Sequence, residues 1–182
     1  MGDYFQVIVD KDAQAEEATR LAAGAREWLI DEGIIESNTC DCVLGSDAGH
    51  PPGPNYGKAI AYPYDTLREM ATNGLQIITK REVFWCGQGG FDLVCNACSC
   101  RFEPPDGWGA AVGEWYWQTG PGLLACPQCG ATQPITEWQH DPPWGFGNLG
   151  FEFWNWPEFK KSFVEEFAMR LGHKVVLVSG KL

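Results

Sequence analysis

The chain is poor in several things, and each shortage excludes a class of protein. No apolar run approaches the ~18 residues that a membrane-crossing helix needs. Basic residues are scarce: 13 Lys and Arg stand against 24 Asp and Glu, a net charge of −11. Histidine occurs three times, at His50, His140 and His173. No GxSxG, Walker A, HExxH or strand–GxGxxG–helix pattern is present. The glycines of Gly87-Gln-Gly-Gly90 lack the lysine and the helix start that a phosphate loop uses. At the N-terminus no basic segment precedes an apolar one, so a secretory signal is not expected. Gln6 stands where a myristoylation motif needs Ser or Thr.

What the chain does have is cysteine in two spaced pairs, Cys95-x-x-Cys98 and Cys126-x-x-Cys129, with 27 residues between the pairs. Each CxxC turn aims two thiolates at one point, and two such turns complete a tetrahedral four-sulfur site. Gly130 provides the tight turn after the second pair. The knuckles resemble those of zinc ribbons and rubredoxins as a motif class, over about residues 91–138. The resemblance implies zinc, with iron as the alternative, held in a structural role: four thiolates leave no open position for water. Reduced thiols suit a cytoplasmic location better than an oxidising one. Cys100 and Cys86 near the first pair offer competing ligands, and Cys40-Asp-Cys42 with His50 offers a second metal site of looser spacing. The plainer reading makes these buried or spare thiols.

Periodicity frames the cysteine region with two similar segments. Tyr4–Val9 reads as a strand, Ala18 to Leu29 as a helix capped by Asp12 and stopped at Gly33, and Ile34–Leu44 as a second strand. Leu149–Trp156 alternates as a strand, Pro157 suits the first turn of a helix running to Gly172, and Lys174–Ser179 closes as a strand. Between them, Asp65–Asn73 reads as a short helix, Leu75–Trp85 as one or two strands, and Trp108–Trp117 as an enlarged loop or hairpin. The expected fold class is α+β: two β-α-β units, ferredoxin-like in order, with a zinc-ribbon subdomain inserted. Residues 1–44 and 149–182 form the core on this reading, and 45–148 the insert, with the ribbon at about 84–140.

Charge then selects among functions. Residues 84–159 hold eight acidic side chains and one basic one, Arg101. A ribbon that binds nucleic acid needs cations for the phosphates, and the only net-basic stretch is 160–182. Eight of nine tryptophans lie at or after Trp85. Aromatics among acids match the anchors and rim of a protein interface. The leading expectation is therefore a non-catalytic protein of the immunity or antitoxin type, which binds a basic protein partner. Its anchors would be Trp108, Trp115, Trp117 and Trp144, and its charged rim Glu103, Asp106, Glu114 and Asp141. Two other readings stand beside it: an enzyme with a structural zinc, using His50 or His140 with a cysteine or carboxylate, and a transcription- or translation-associated ribbon.

Overall fold

A computed structural model describes residues 2–182. In chain order its elements are β1 (Tyr4–Asp10), α1 (Ala15–Asp31), β2 (Leu75–Ile78), β3 (Glu82–Phe84), β4 (Asp92–Val94), β5 (Arg101–Phe102), α2 (Trp108–Trp117), β6 (Leu123–Ala125), β7 (Thr132–Pro134), β8 (Gln139–Asp141), β9 (Gly145–Gly147), β10 (Leu149–Trp154), α3 (Lys161–Leu171) and β11 (Val175–Lys181). The fold is mixed α+β, as expected.

The main sheet has the order β11-β1-β10-β2, and every neighbouring pair is antiparallel. Numbered among themselves, its strands run 4-1-3-2, the order compatible with a ferredoxin-like pair of split β-α-β units. Both faces are covered. Ile8, Phe151 and Phe153 meet α1 and α3 through Trp28, Leu29, Phe163 and Phe167. Val7, Val9, Trp154 and Val178 meet Val43 and Phe84 on the other side. Two-sided burial is why β1 reads as a nearly continuous apolar run rather than an alternating one.

The edge strand β2 comes from Leu75–Ile78, not from Ile34–Leu44. That earlier stretch forms only isolated bridges, Ile35 to Pro52, Cys40 to Gly49 and Val43 to Ser46. Its turn formers, Ser37-Asn38 and Gly45-Ser46-Asp47, interrupt any longer ladder. The loop it belongs to covers the edge of β2, where His50 and Leu75 exchange backbone bonds of 2.8 and 2.9 Å.

Smaller differences have local causes. The helix expected in Asp65–Asn73 is a single 3-10 turn, Leu67–Glu69. Asp12 does not cap α1: its carboxylate accepts the Lys174 amide at 2.8 Å, and Gln14 holds the cap position. Pro157 lies ahead of α3, which begins at Lys161. Trp108–Trp117 is a helix rather than a loop. Trp108, Ala111, Val112 and Trp115 recur at helical spacing and pack on the ribbon core, and Gln118 ends the helix in the left-handed region at φ 56°.

The ribbon is seated on the sheet by close backbone approach. A Cβ on Gly147 of β9 would lie 2.5 Å from the Asp10 carbonyl oxygen of β1. At the same junction, Arg81 donates to the Trp115 carbonyl at 2.8 Å and its guanidinium carbon lies 3.9 Å over that indole.

Candidate metal centre

Two hairpins build the centre. The first knuckle joins β4 to β5 and the second joins β6 to β7. Their backbones match position by position. Cys95 N–H donates to the Cys100 carbonyl at 2.9 Å, and Cys126 N–H to the Ala131 carbonyl at 2.8 Å. Ser99 N–H donates to the Cys95 carbonyl at 2.8 Å, and Gly130 N–H to the Cys126 carbonyl at 2.9 Å. Ser99 and Gly130 both lie in the left-handed region, at φ 58° and 73°. Glycine meets that demand without strain; in the first knuckle a serine bears it.

This correspondence settles which cysteines converge. Cys100 occupies the place of Ala131, beyond the turn, and its thiol points to the Arg101 carbonyl at 3.7 Å. The sulfurs of Cys95, Cys98, Cys126 and Cys129 all lie within 4.8 Å of one another. Cys95 is 3.8 Å from Cys129, and Cys98 is 3.7 Å from Cys126. A tetrahedron with metal–sulfur bonds of about 2.3 Å has edges of about 3.8 Å, whereas a disulfide needs about 2.05 Å. The donor set therefore fits one tetrahedral ion. Burial pushes the Cys126 thiol up, but the amides of Cys129 and Gln128 facing its sulfur hold it down, to about 7. Cys95 and Cys126 are buried, while Cys98 and Cys129 stand at the surface.

Among the described residues this is the one cluster of three or more such ligands. Cys40, Cys42 and His50 do not assemble another. Burial is the main reason the Cys42 thiol is pushed up to about 12, and its sulfur sits 3.9 Å from the Cys40 carbonyl. His50 is buried with Nδ1 on the Glu36 carbonyl at 3.1 Å. Cys86 is buried with its thiol on the Gln88 carbonyl at 3.2 Å.

The tryptophans serve mostly as ribbon core. Trp108, Trp115 and Trp144 are half-buried against Leu93, Ile135, Trp138 and Phe146. Trp117 is 72% exposed, touching Tyr116 edge-on at 4.9 Å, and Trp85 is 42% exposed. Trp85 and Trp144 lie 5.5 Å apart, and Trp144 and Phe91 4.4 Å, in one aromatic row. Phe91 also lines an open cavity of about 590 Å³ with Asp92, Glu103 and Asp141. Arg101 bridges Asp92 at 3.0 Å and Asp141 at 2.6 Å, which leaves Glu103 as the uncompensated charge there. Asp106 and Glu114 are exposed, and Glu114 accepts the Gly122 amide at 3.1 Å.

His140 sits inside this aromatic packing, between Phe91, Trp108, Trp144 and Phe146. Burial, followed by the charge of Lys11, lowers its pKa to about 4, so the ring is neutral at pH 7. Neither His50 nor His140 is hydrogen-bonded to a cysteine or carboxylate side chain among the described residues. The histidine that does pair is His173, whose Nδ1 lies 2.8 Å from the carboxylate of the fully buried Asp10. Asp10 also accepts the amides of Asp12 and Ala13 at 3.0 and 2.9 Å, so the pair ties the end of β1 to the end of α3. The two partners are 163 residues apart, and no local pattern announces them.

No helix is long and apolar enough to cross a membrane among the described residues. No family model, curated protein or solved structure matches the chain, so the reading of the centre stands on its own geometry.

Proposed function

We propose that the chain is a non-catalytic binding protein that docks a basic protein partner on its ribbon, in the manner of an immunity protein or a toxin inhibitor. On this reading the four-cysteine group holds zinc in a structural role, in a reducing compartment such as the cytoplasm. Zinc fixes a subdomain whose strands are too short to hold themselves. The observation that carries the reading is the cavity beside Phe91, where an aromatic row runs into the carboxylates of Asp92, Glu103 and Asp141. A lysine or arginine entering it would meet Glu103 directly and compete with Arg101 for the two aspartates. Trp85 and Trp117 supply exposed aromatic surface of the kind that anchors interfaces. Trp108, Trp115 and Trp144 act in this proposal by shaping the platform as well as by contact.

The test is capture from an extract of the native host at low salt, followed by elution with salt. A basic protein should be retained and released as ionic strength rises. Glu103→Lys should abolish retention, and Glu16→Lys, on the exposed start of α1, should not. Absence of any basic protein in the eluate, or equal retention by the Glu103→Lys variant, would refute the proposal.

A further inference from the structure

The chain is acidic overall, yet three of its 13 Lys and Arg residues meet at one place. Lys11, Arg81 and Lys174 line a cavity of about 270 Å³ between the start of α1 and the ribbon. The Lys11 amide donates to the Lys174 carbonyl at 2.9 Å, so the two lysines are fixed side by side. Among the described residues none of the three cations has a carboxylate oxygen within 4.0 Å, although seven other Lys and Arg side chains and His173 do. Two carboxylates belong to the cavity wall. Asp12 is engaged by the Lys174 amide, and Glu137 stands at the exposed rim.

Arg81 is held in place rather than free. Its Nε donates to the Trp115 carbonyl and its guanidinium carbon lies over the indole, while its two terminal nitrogens have no protein acceptor among the described residues. A pre-positioned guanidinium with two flexible ammonium groups is the donor set that tetrahedral oxyanions require. Gln14, at the start of the 17-residue α1, also lines the cavity, and no side chain caps that helix. Its positive dipole end adds to the same field. Net charge elsewhere does not cancel this, because screening in physiological salt acts over about 8 Å.

A second cavity of about 320 Å³ adjoins the first and shares Lys11, Thr136 and Phe146 with it. Its other walls include Trp138, His140, Trp144 and Val176. A charged pocket thus opens beside an aromatic one, and the aromatic one falls within the range of about 300–1,000 Å³ typical of small-ligand sites.

We infer that this cleft binds a phosphate-bearing small molecule, with its phosphoryl oxygens on Lys11, Arg81 and Lys174. The ligand is either inorganic phosphate or pyrophosphate, or an organic phosphate whose planar portion enters the aromatic cavity. The inference does not depend on a basic protein partner.

The experiment is calorimetric titration of the full metal-loaded chain at fixed ionic strength with pyrophosphate, AMP and adenosine. Saturable binding of pyrophosphate or AMP is expected, with adenosine at least about tenfold weaker. Tighter binding of AMP than of pyrophosphate assigns the aromatic cavity to the ring of an organic phosphate. Equal or weaker binding assigns the site to the inorganic ions. The double variant Lys11→Ala/Lys174→Ala should lose at least about tenfold in affinity. Arg81→Lys, which keeps the charge and loses the fork, should weaken binding by less. Lys161→Ala, on the exposed face of α3, should change nothing. No saturable binding at millimolar pyrophosphate or AMP would overturn the inference. Undiminished affinity in the double variant, with its circular dichroism unchanged, would overturn it equally.

Discussion

Removing the metal should unfold the ribbon and leave the four-stranded sheet standing. The strands around the knuckles are two or three residues long, and such short pairs do not hold themselves in water. The ribbon core has eight buried apolar residues, and two of them, Cys95 and Cys126, are placed to be ligands. The helix-side core of the main sheet has 21 and uses none of the four cysteines. A structural zinc contributes about 10–16 kcal/mol at pH 7, as much as the whole stability of an ordinary domain, about 5–15 kcal/mol. Chelation therefore removes more free energy than the ribbon's six other core residues can replace. Near-ultraviolet circular dichroism reads the difference. Trp108, Trp115, Trp138 and Trp144 belong to the ribbon, whereas Trp28, Trp154 and Trp156 belong to the sheet clusters. Stripping one equivalent of metal should erase a large part of the aromatic signal while most of the far-ultraviolet signal persists. The metal-free protein should then melt in a single transition from the sheet. A chain that keeps its full aromatic signal and its melting profile after quantitative metal removal would refute the reasoning.

The other predictions concern single groups. The absorption spectrum of the loaded protein should be colourless in the visible, as zinc requires; strong visible bands would identify iron. His140 is held neutral, with its pKa lowered from 6.5 to about 4, so the unfolded chain takes up a proton that the folded one refuses. Stability should be fully present above pH 6.5 and fall by about 2–3 kcal/mol by pH 4.5. Urea melts of His140→Phe should show that much less acid loss; because metal release affects both proteins alike, parallel pH profiles would refute the assignment. His173 is raised by its bond to Asp10, so its contribution is complete below pH 6.5 and is lost as pH climbs through the folded value. His173→Gln should accordingly cost more stability at pH 6 than at pH 9. Gly147→Ala drives a methyl into the Asp10 carbonyl and should destabilise by about 1–3 kcal/mol. Gly113→Ala, on an open stretch of α2, should stabilise by up to about 1 kcal/mol.

The parts of the structure legible in the sequence are those whose signals are local. Four ligands follow from spacing, because a CxxC turn carries its own geometry. The helices α1 and α3 follow from their apolar faces and from Gly33 and Gly172, which adopt φ of 68° and 74° as stops. Composition hides helix α2: two glycines and alternating Trp115 and Trp117 suggest a hairpin, while the helical set 108, 111, 112, 115 is the signal that matters. The edge strand Leu75–Ile78 reads plainly as a strand, but its partner, Leu149–Trp154, lies more than 70 residues on. Nothing local says which sheet a strand joins; that choice is made by long-range packing. Ile34–Leu44, being nearer in the chain, therefore reads as the natural completion of the first β-α-β unit.

The same distinction governs charge. Summed along the sequence, residues 84–159 are strongly acidic, and the sum predicts a surface that repels phosphate. Folding redistributes it. Arg101 neutralises parts of Asp92 and Asp141, leaving Glu103 as the exposed carboxylate of that cavity. Meanwhile Lys11, Arg81 and Lys174, spread across 164 positions, are brought together by β1, the β2–β3 connection and the α3–β11 turn. The segments that carry them are the ones that seat the ribbon on the sheet, with Arg81 clamped on Trp115 and Gly147 pressed to Asp10. The cleft therefore exists only while the ribbon is folded and docked. An ion held by the knuckles would, on this argument, act on both the acidic face and the basic cleft without touching either.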